Sequence, residues 1–113
     1  MNQWMPSPDE ISPEELHERL KQHPTSVVLM DVREPFEHEH CRLEGAVLMP
    51  LRELPARVGK LNPDDEIVVY CHHGMRSMQA AEYLQHAGFK QVRSLQGGID
   101  LWSLTVDPSV PRY

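Results

Sequence analysis

The sequence predicts an α/β domain in which a mostly parallel sheet is covered by helices on both faces. Three observations carry that expectation. Short continuous apolar runs, rich in β-branched residues, recur along the chain, as strands buried on both faces require. Between them lie segments with helical spacing and recognisable helix ends. The connections are short, and strands alternating with helical patterns imply βαβ units.

The elements follow in order. "SPEELHERLKQH" (12–23) opens with Ser12 as N-cap, Pro13 at the first helical position and Glu15 at the third. That is a capping box, and Leu16 and Leu20 share one face at i, i+4. "SVVLMDV" (26–32) is a buried strand, and "AVLMPL" (46–51) a shorter one that Pro50 ends or confines to an edge. "LRELPARVGKL" reads as a short helix, with Pro55 counting against it. "EIVVY" (66–70) is the third strand. "SMQAAEYLQHAG" (77–88) is a helix with Ala80, Ala81, Leu84 and Ala87 as its apolar stripe and Gly88 as its stop. "QVRSL" (91–95) is a fourth strand, followed by Gly97, Gly98 and a last helical piece around "IDLWSL", where Trp102 belongs to the core. "MPSP" and "DPSVPRY" read as an irregular start and tail.

The chain of 113 residues suits one domain, with its core at about residues 10–103. Its net charge of −6, without any Lys/Arg cluster, argues against a nucleic-acid partner. No apolar run is long enough to cross a bilayer, and no secretory signal is legible, so the cytoplasm is the expected address. Two cysteines, Cys41 and Cys71, make no disulfide framework.

The chemistry concentrates at "IVVYCHHGMRS". Cys71 stands where a strand stops, and in such sheets ligands sit beyond the carboxyl ends of the strands. "HHGMR" allows only a tight loop, for which Gly74 supplies a positive φ. Successive loop amides and the start of the next helix form a nest that attracts anions. Together with Arg76 they favour a thiolate, so Cys71 reads as a nucleophile in an anion pocket. Packing is the alternative for any free cysteine, and it is the reading for Cys41, which has no such cradle. A zinc site from His38, His40 and Cys41, or from Cys71, His72 and His73, is disfavoured, since three adjacent residues seldom aim at one ion. No metal and no cofactor are expected. "EPFEHEHC" reads instead as a solvated helix face.

Four stretches, "VVLMDVREPFEHEH", "EGAVLMPL", "IVVYCHHGMRS" and "LQGGIDLW", together resemble the single-domain rhodanese-like sulfurtransferases. The resemblance implies a three-layer, flavodoxin-like fold with a central five-stranded parallel sheet. It implies that Cys71 accepts a sulfane sulfur and that "CHHGMR" is the active-site loop, with His72, His73, Gly74, Met75 and Arg76 binding substrate. The donor would be a small anion such as thiosulfate, and the acceptor cyanide or a thiol. A persulfide relay or a regulatory module acting with a protein partner is the alternative. Relatives that are phosphatases or arsenate reductases have a Cys-x5-Arg loop; here Arg76 comes one place earlier, which favours sulfur over phosphorus. The family's Gly-His-Ile-Pro before Gly-Ala is replaced by "CRLEGA", a structural turn. Asp31 and Arg33 match the family's Asp-x-Arg, read as a set that fixes the loops, with Arg33 alternatively reaching the substrate mouth.

Overall fold

The computed structural model describes residues 9–23 and 26–113. The irregular start expected at "MPSP" falls outside them, apart from its surroundings at Asp9. Strand β1 (Glu10–Ile11) precedes helix α1 (Pro13–Gln22), and β2 (Val27–Asp31) leads into α2 (Pro35–His40). Strand β3 (Val47–Leu48) is followed by α3 (Leu54–Arg57), which 3-10 turns flank at Leu51–Glu53 and Val58–Lys60. Then come β4 (Glu66–Tyr70), α4 (Met75–His86), β5 (Gln91–Leu95) and α5 (Gly98–Thr105).

Among the described residues five strands form one parallel sheet in the order β1-β5-β4-β2-β3. The α/β expectation holds. The sequence pattern shows four of these strands, and β1 is the fifth. Two residues carry no periodicity, so β1 exists only through its pairing of Glu10 with Ser94 and Ile11 with Leu95. Pro50 does end β3, and only Val47 and Leu48 pair with β2.

Burial on both faces is visible along β4. Ile67, Val69 and Cys71 join Ala80, Ala81 and Leu84 of α4 and Leu54 of α3 in one cluster. Val68 and Tyr70 join Leu16 of α1 and Ile99 and Trp102 of α5 in the other. The Ser12 capping box is present, with Ser12 Oγ accepting from the Glu15 amide at 3.1 Å and Glu15 accepting from the Ser12 amide at 3.0 Å. Helix α4 ends in a Schellman motif: the Phe89 amide donates to the Leu84 carbonyl and the Gly88 amide to that of Gln85. It starts at Met75, two residues before the expected position, because Gly74 at φ 112° caps it. "EPFEHEHC" is helical but only partly solvated, since Glu37 is buried.

The sheet reverses its winding between β2 and β4, whose last residues Asp31 and Tyr70 are register partners. The crevice at that switch point is bordered by the segments after β2 and after β4, which carry Arg33 and Cys71.

Candidate active site

Cys71 continues the alternation of β4 and turns its side chain toward α4, where it is 1% exposed. Its Sγ accepts from the backbone amides of Gly74 at 3.1 Å and Ser77 at 3.3 Å. Ser77 Oγ lies 3.5 Å from Sγ and is itself tied to the Gly74 carbonyl at 3.1 Å and to Ser94 Oγ at 2.7 Å. The residues after β4 thus curl around the sulfur, with two amides of a helix start directed at it, a geometry that stabilises a negative sulfur.

What holds the curl is α5. The amides of Ile99 and Asp100 donate to the carbonyls of Cys71 and His72 at 2.9 and 3.1 Å. Satisfying those carbonyls from below leaves the loop amides to face the sulfur. The approach needs Gly98, because a Cβ there would stand 2.3 Å from the His72 carbonyl oxygen.

The side chains of the loop are arranged around this cradle. The His72 ring is stacked between His73 and Tyr113, each centroid 3.9 Å away. Burial and then the neighbouring His73 push the His72 imidazole below its ordinary pKa, favouring the neutral ring. His73 is exposed, with Nε2 3.7 Å from Asp100. Met75 is exposed on the first turn of α4. Arg76 gives both terminal nitrogens to Glu37, at 2.8 and 3.0 Å. That guanidinium holds the Glu37 carboxyl at about 2, far below the usual range. The Tyr113 hydroxyl donates to Glu37 at 2.8 Å and accepts from Arg33 at 2.7 Å. Burial, more than these partners, raises the Tyr113 phenol to about 12.

Arg33 and Asp31 are wholly buried. The arginine donates to both Asp31 oxygens, at 2.9 and 2.7 Å, and to the Cys41 carbonyl. Tyr70 and His38 also reach Asp31, at 3.2 and 2.9 Å. Burial opposes the Asp31 charge, but the hydrogen bonds from Arg33 and His38 outweigh it and keep the carboxyl below its ordinary range. The set ties the segment after β2 to Tyr70 and to the "CRLEGA" turn, where the Leu43 amide donates to the Tyr70 hydroxyl at 3.1 Å. Cys41 is buried, its Sγ 3.9 Å from Arg33. Among the described residues, metal-capable side chains converge at His72, His73 and Asp100, with donor atoms within 4.8 Å of one another. His38 is turned to Asp31 and His40 lies edge-on to Tyr113.

A family model for the Rhodanese-like domain matches residues 12–105. The chain belongs to the rhodanese-like family. A sulfurtransferase of Allochromatium vinosum is 36% identical over 95 residues, covering 84% of this chain and 88% of the relative. A rhodanese-like/PpiC domain-containing protein 12, chloroplastic, of Arabidopsis thaliana is 45% identical over 111 residues, which is 92% of this chain but 37% of that protein. The chain therefore spans little more than a third of that relative's length. Among solved structures, a rhodanese-related protein from Thermoplasma volcanium superposes with a TM-score of 0.80 at 30% identity, covering 93% of this chain and 99% of that one.

Within this rhodanese-like domain the structure adds residues that the sequence pattern does not single out. Ser77 supplies the second amide to the sulfur, and its hydroxyl joins α4 to β5 through Ser94. Glu37 reaches Arg76 across 39 residues of sequence, and Tyr113 reaches Glu37 across 76. The capping-box spacing of Glu34 and Glu37 is readable, but it predicts a helix start rather than a partner for Arg76. Among the described residues no helix is long and apolar enough to cross a membrane.

Proposed function

We propose that the chain is a sulfurtransferase that moves sulfane sulfur through a persulfide on Cys71, from a donor such as thiosulfate to a thiophilic acceptor. The observation that carries this reading is the pair of amides, from Gly74 and Ser77, directed at the Cys71 sulfur. Membership of the family and the sulfurtransferase relative support the same class of chemistry.

In the first half-reaction the Cys71 thiolate attacks the outer sulfur of the donor. A new Sγ–S bond forms, the donor's S–S bond breaks, and its electron pair leaves with sulfite when the donor is thiosulfate. The loop amides then face a persulfide in place of the thiolate, with the negative charge moved one bond outward to the transferred sulfur. In the second half-reaction cyanide or a thiolate attacks the outer sulfur and regenerates the Cys71 thiolate. A protein thiol serves as acceptor by the same step. Substrate contact is assigned to the residues that follow Cys71, namely His72, His73, Gly74, Met75 and Arg76, with Gly74 giving its amide to the sulfur. A reducing compartment such as the cytoplasm keeps Cys71 available.

The test is mass spectrometry of the protein after exposure to thiosulfate, with thiosulfate:cyanide turnover measured in parallel. Cys71 should gain the mass of one sulfur, and Cys71→Ser should lose both the adduct and turnover. Cys41→Ser should retain them. An adduct that survives Cys71→Ser, or turnover lost with Cys41→Ser in a folded protein, would refute the assignment.

A further inference from the structure

Resting on the sulfur-transfer reading, we propose that Glu37 is a specificity-determining residue that turns Cys71 toward organic persulfide donors and away from free inorganic dianions such as thiosulfate. Each of the three arginines around the loop has a carboxylate partner: Arg33 with Asp31, Arg76 with Glu37 and Arg112 with Asp100. The chain as a whole carries −6. The local attraction for an anion is therefore left chiefly to the backbone amides, and two of these already address the Cys71 sulfur.

Arg76 decides the matter, because it stands on the first turn of α4 next to Ser77, whose amide donates to the Cys71 sulfur. It is held by two hydrogen bonds to a carboxylate that is itself 6% exposed and secured by the Tyr113 hydroxyl. A thiosulfate dianion seeking Arg76 must compete with Glu37 and is repelled by it. An organic persulfide presents at most one charge, on its outer sulfur, against two on thiosulfate, and it brings a carbon-bearing remainder. Phe36 and Met75, the sequence neighbours of Glu37 and Arg76, are 70% and 77% exposed, so α2 and α4 each present apolar surface one residue from the pair.

The step balances without any further reactant. The Cys71 thiolate attacks the outer sulfur of R–S–SH, the new Sγ–S bond forms, and the old S–S bond breaks. The electron pair leaves on RS⁻, and the proton stays on the transferred sulfur.

Glu37 acts through Arg76, and the test is built on that. Rates of persulfide formation on Cys71 would be followed by mass spectrometry with thiosulfate and with glutathione persulfide, in the native protein, E37Q, E37D and the E37Q/R76M double variant. The native protein should favour glutathione persulfide. In E37Q the thiosulfate-to-persulfide rate ratio should rise by about tenfold or more, the worth of one charge-assisted hydrogen bond released to the donor. The rise should appear as a lower KM for thiosulfate, E37D should restore the native ratio, and the double variant should abolish the gain. A loosened fold slows both donors together and leaves the ratio where it was. A native preference for thiosulfate, an unchanged ratio in E37Q, or a gain that survives removal of Arg76 would overturn the proposal while leaving sulfur transfer standing. Failure of both donors to modify Cys71 would overturn the sulfur-transfer reading, and the donor preference with it.

Discussion

Replacing Gly98 by alanine tests whether α5 holds the active-site loop by close backbone approach. Gly98 has φ +64°, and an added Cβ would lie 2.3 Å from the His72 oxygen, 2.5 Å from its carbonyl carbon and 2.6 Å from the Cys71 oxygen. All three are backbone atoms, so no side-chain rotation relieves the overlap. Two costs combine. Left-handed backbone costs an alanine about 1–2 kcal/mol, and overpacking a tight contact adds about 1–3 kcal/mol. Gly98→Ala should therefore destabilise the fold by about 2–5 kcal/mol, a large share of a typical domain's stability. Gly45 separates the two costs. It has φ +81° with nothing within 4 Å of an added Cβ, so Gly45→Ala carries the backbone cost alone, about 1–2 kcal/mol. The assay is denaturant unfolding of both variants, with sulfur-transfer turnover measured under native conditions. Gly98→Ala should also slow turnover, because the carbonyls that anchor the loop to Ile99 and Asp100 must shift. If the two variants unfolded at the same denaturant concentration and Gly98→Ala turned over normally, the clasp would not be what shapes the loop.

Two further outcomes follow from the buried polar groups. Tyr70→Phe removes the acceptor for the Leu43 amide and a donor to Asp31, and leaving such a group unpaired costs about 1–3 kcal/mol in chemical denaturation; unaltered stability would show that the turn finds another partner. Acid sensitivity should depend on Glu37, whose carboxyl sits at about 2 in the folded protein against an ordinary 4.5. Because the folded value is depressed, its contribution is fully present above about 4.5 and is lost as pH falls through about 2. The melting temperature of Glu37→Gln should consequently fall less between pH 5 and 2 than that of the native protein, and parallel curves would exclude Glu37 as a source of the acid response.

Much of the fold is legible along the chain because it depends on local signals. The capping box at Ser12, the apolar runs of β2, β4 and β5, and the glycine stop after α4 are written in neighbouring residues. The position of Cys71 at a strand end before a glycine and a helix is equally local, so the candidate nucleophile can be named without coordinates. Tertiary structure alone decides what surrounds it. Strand β1 has too few residues for any pattern and is made by pairing with β5. Helix α4 begins early because Gly74 takes up a left-handed conformation that permits, but does not require, a cap there. Gly97 and Gly98 read as a turn in sequence, while the distance from Gly98 to the His72 carbonyl makes the second of them part of the active-site scaffold. Arg76 looks like a free cation beside the thiol until α2 brings Glu37 to it and Tyr113 secures the pair. A sequence lists charges, but whether a charge is available depends on which opposite charge the fold places within hydrogen-bonding distance.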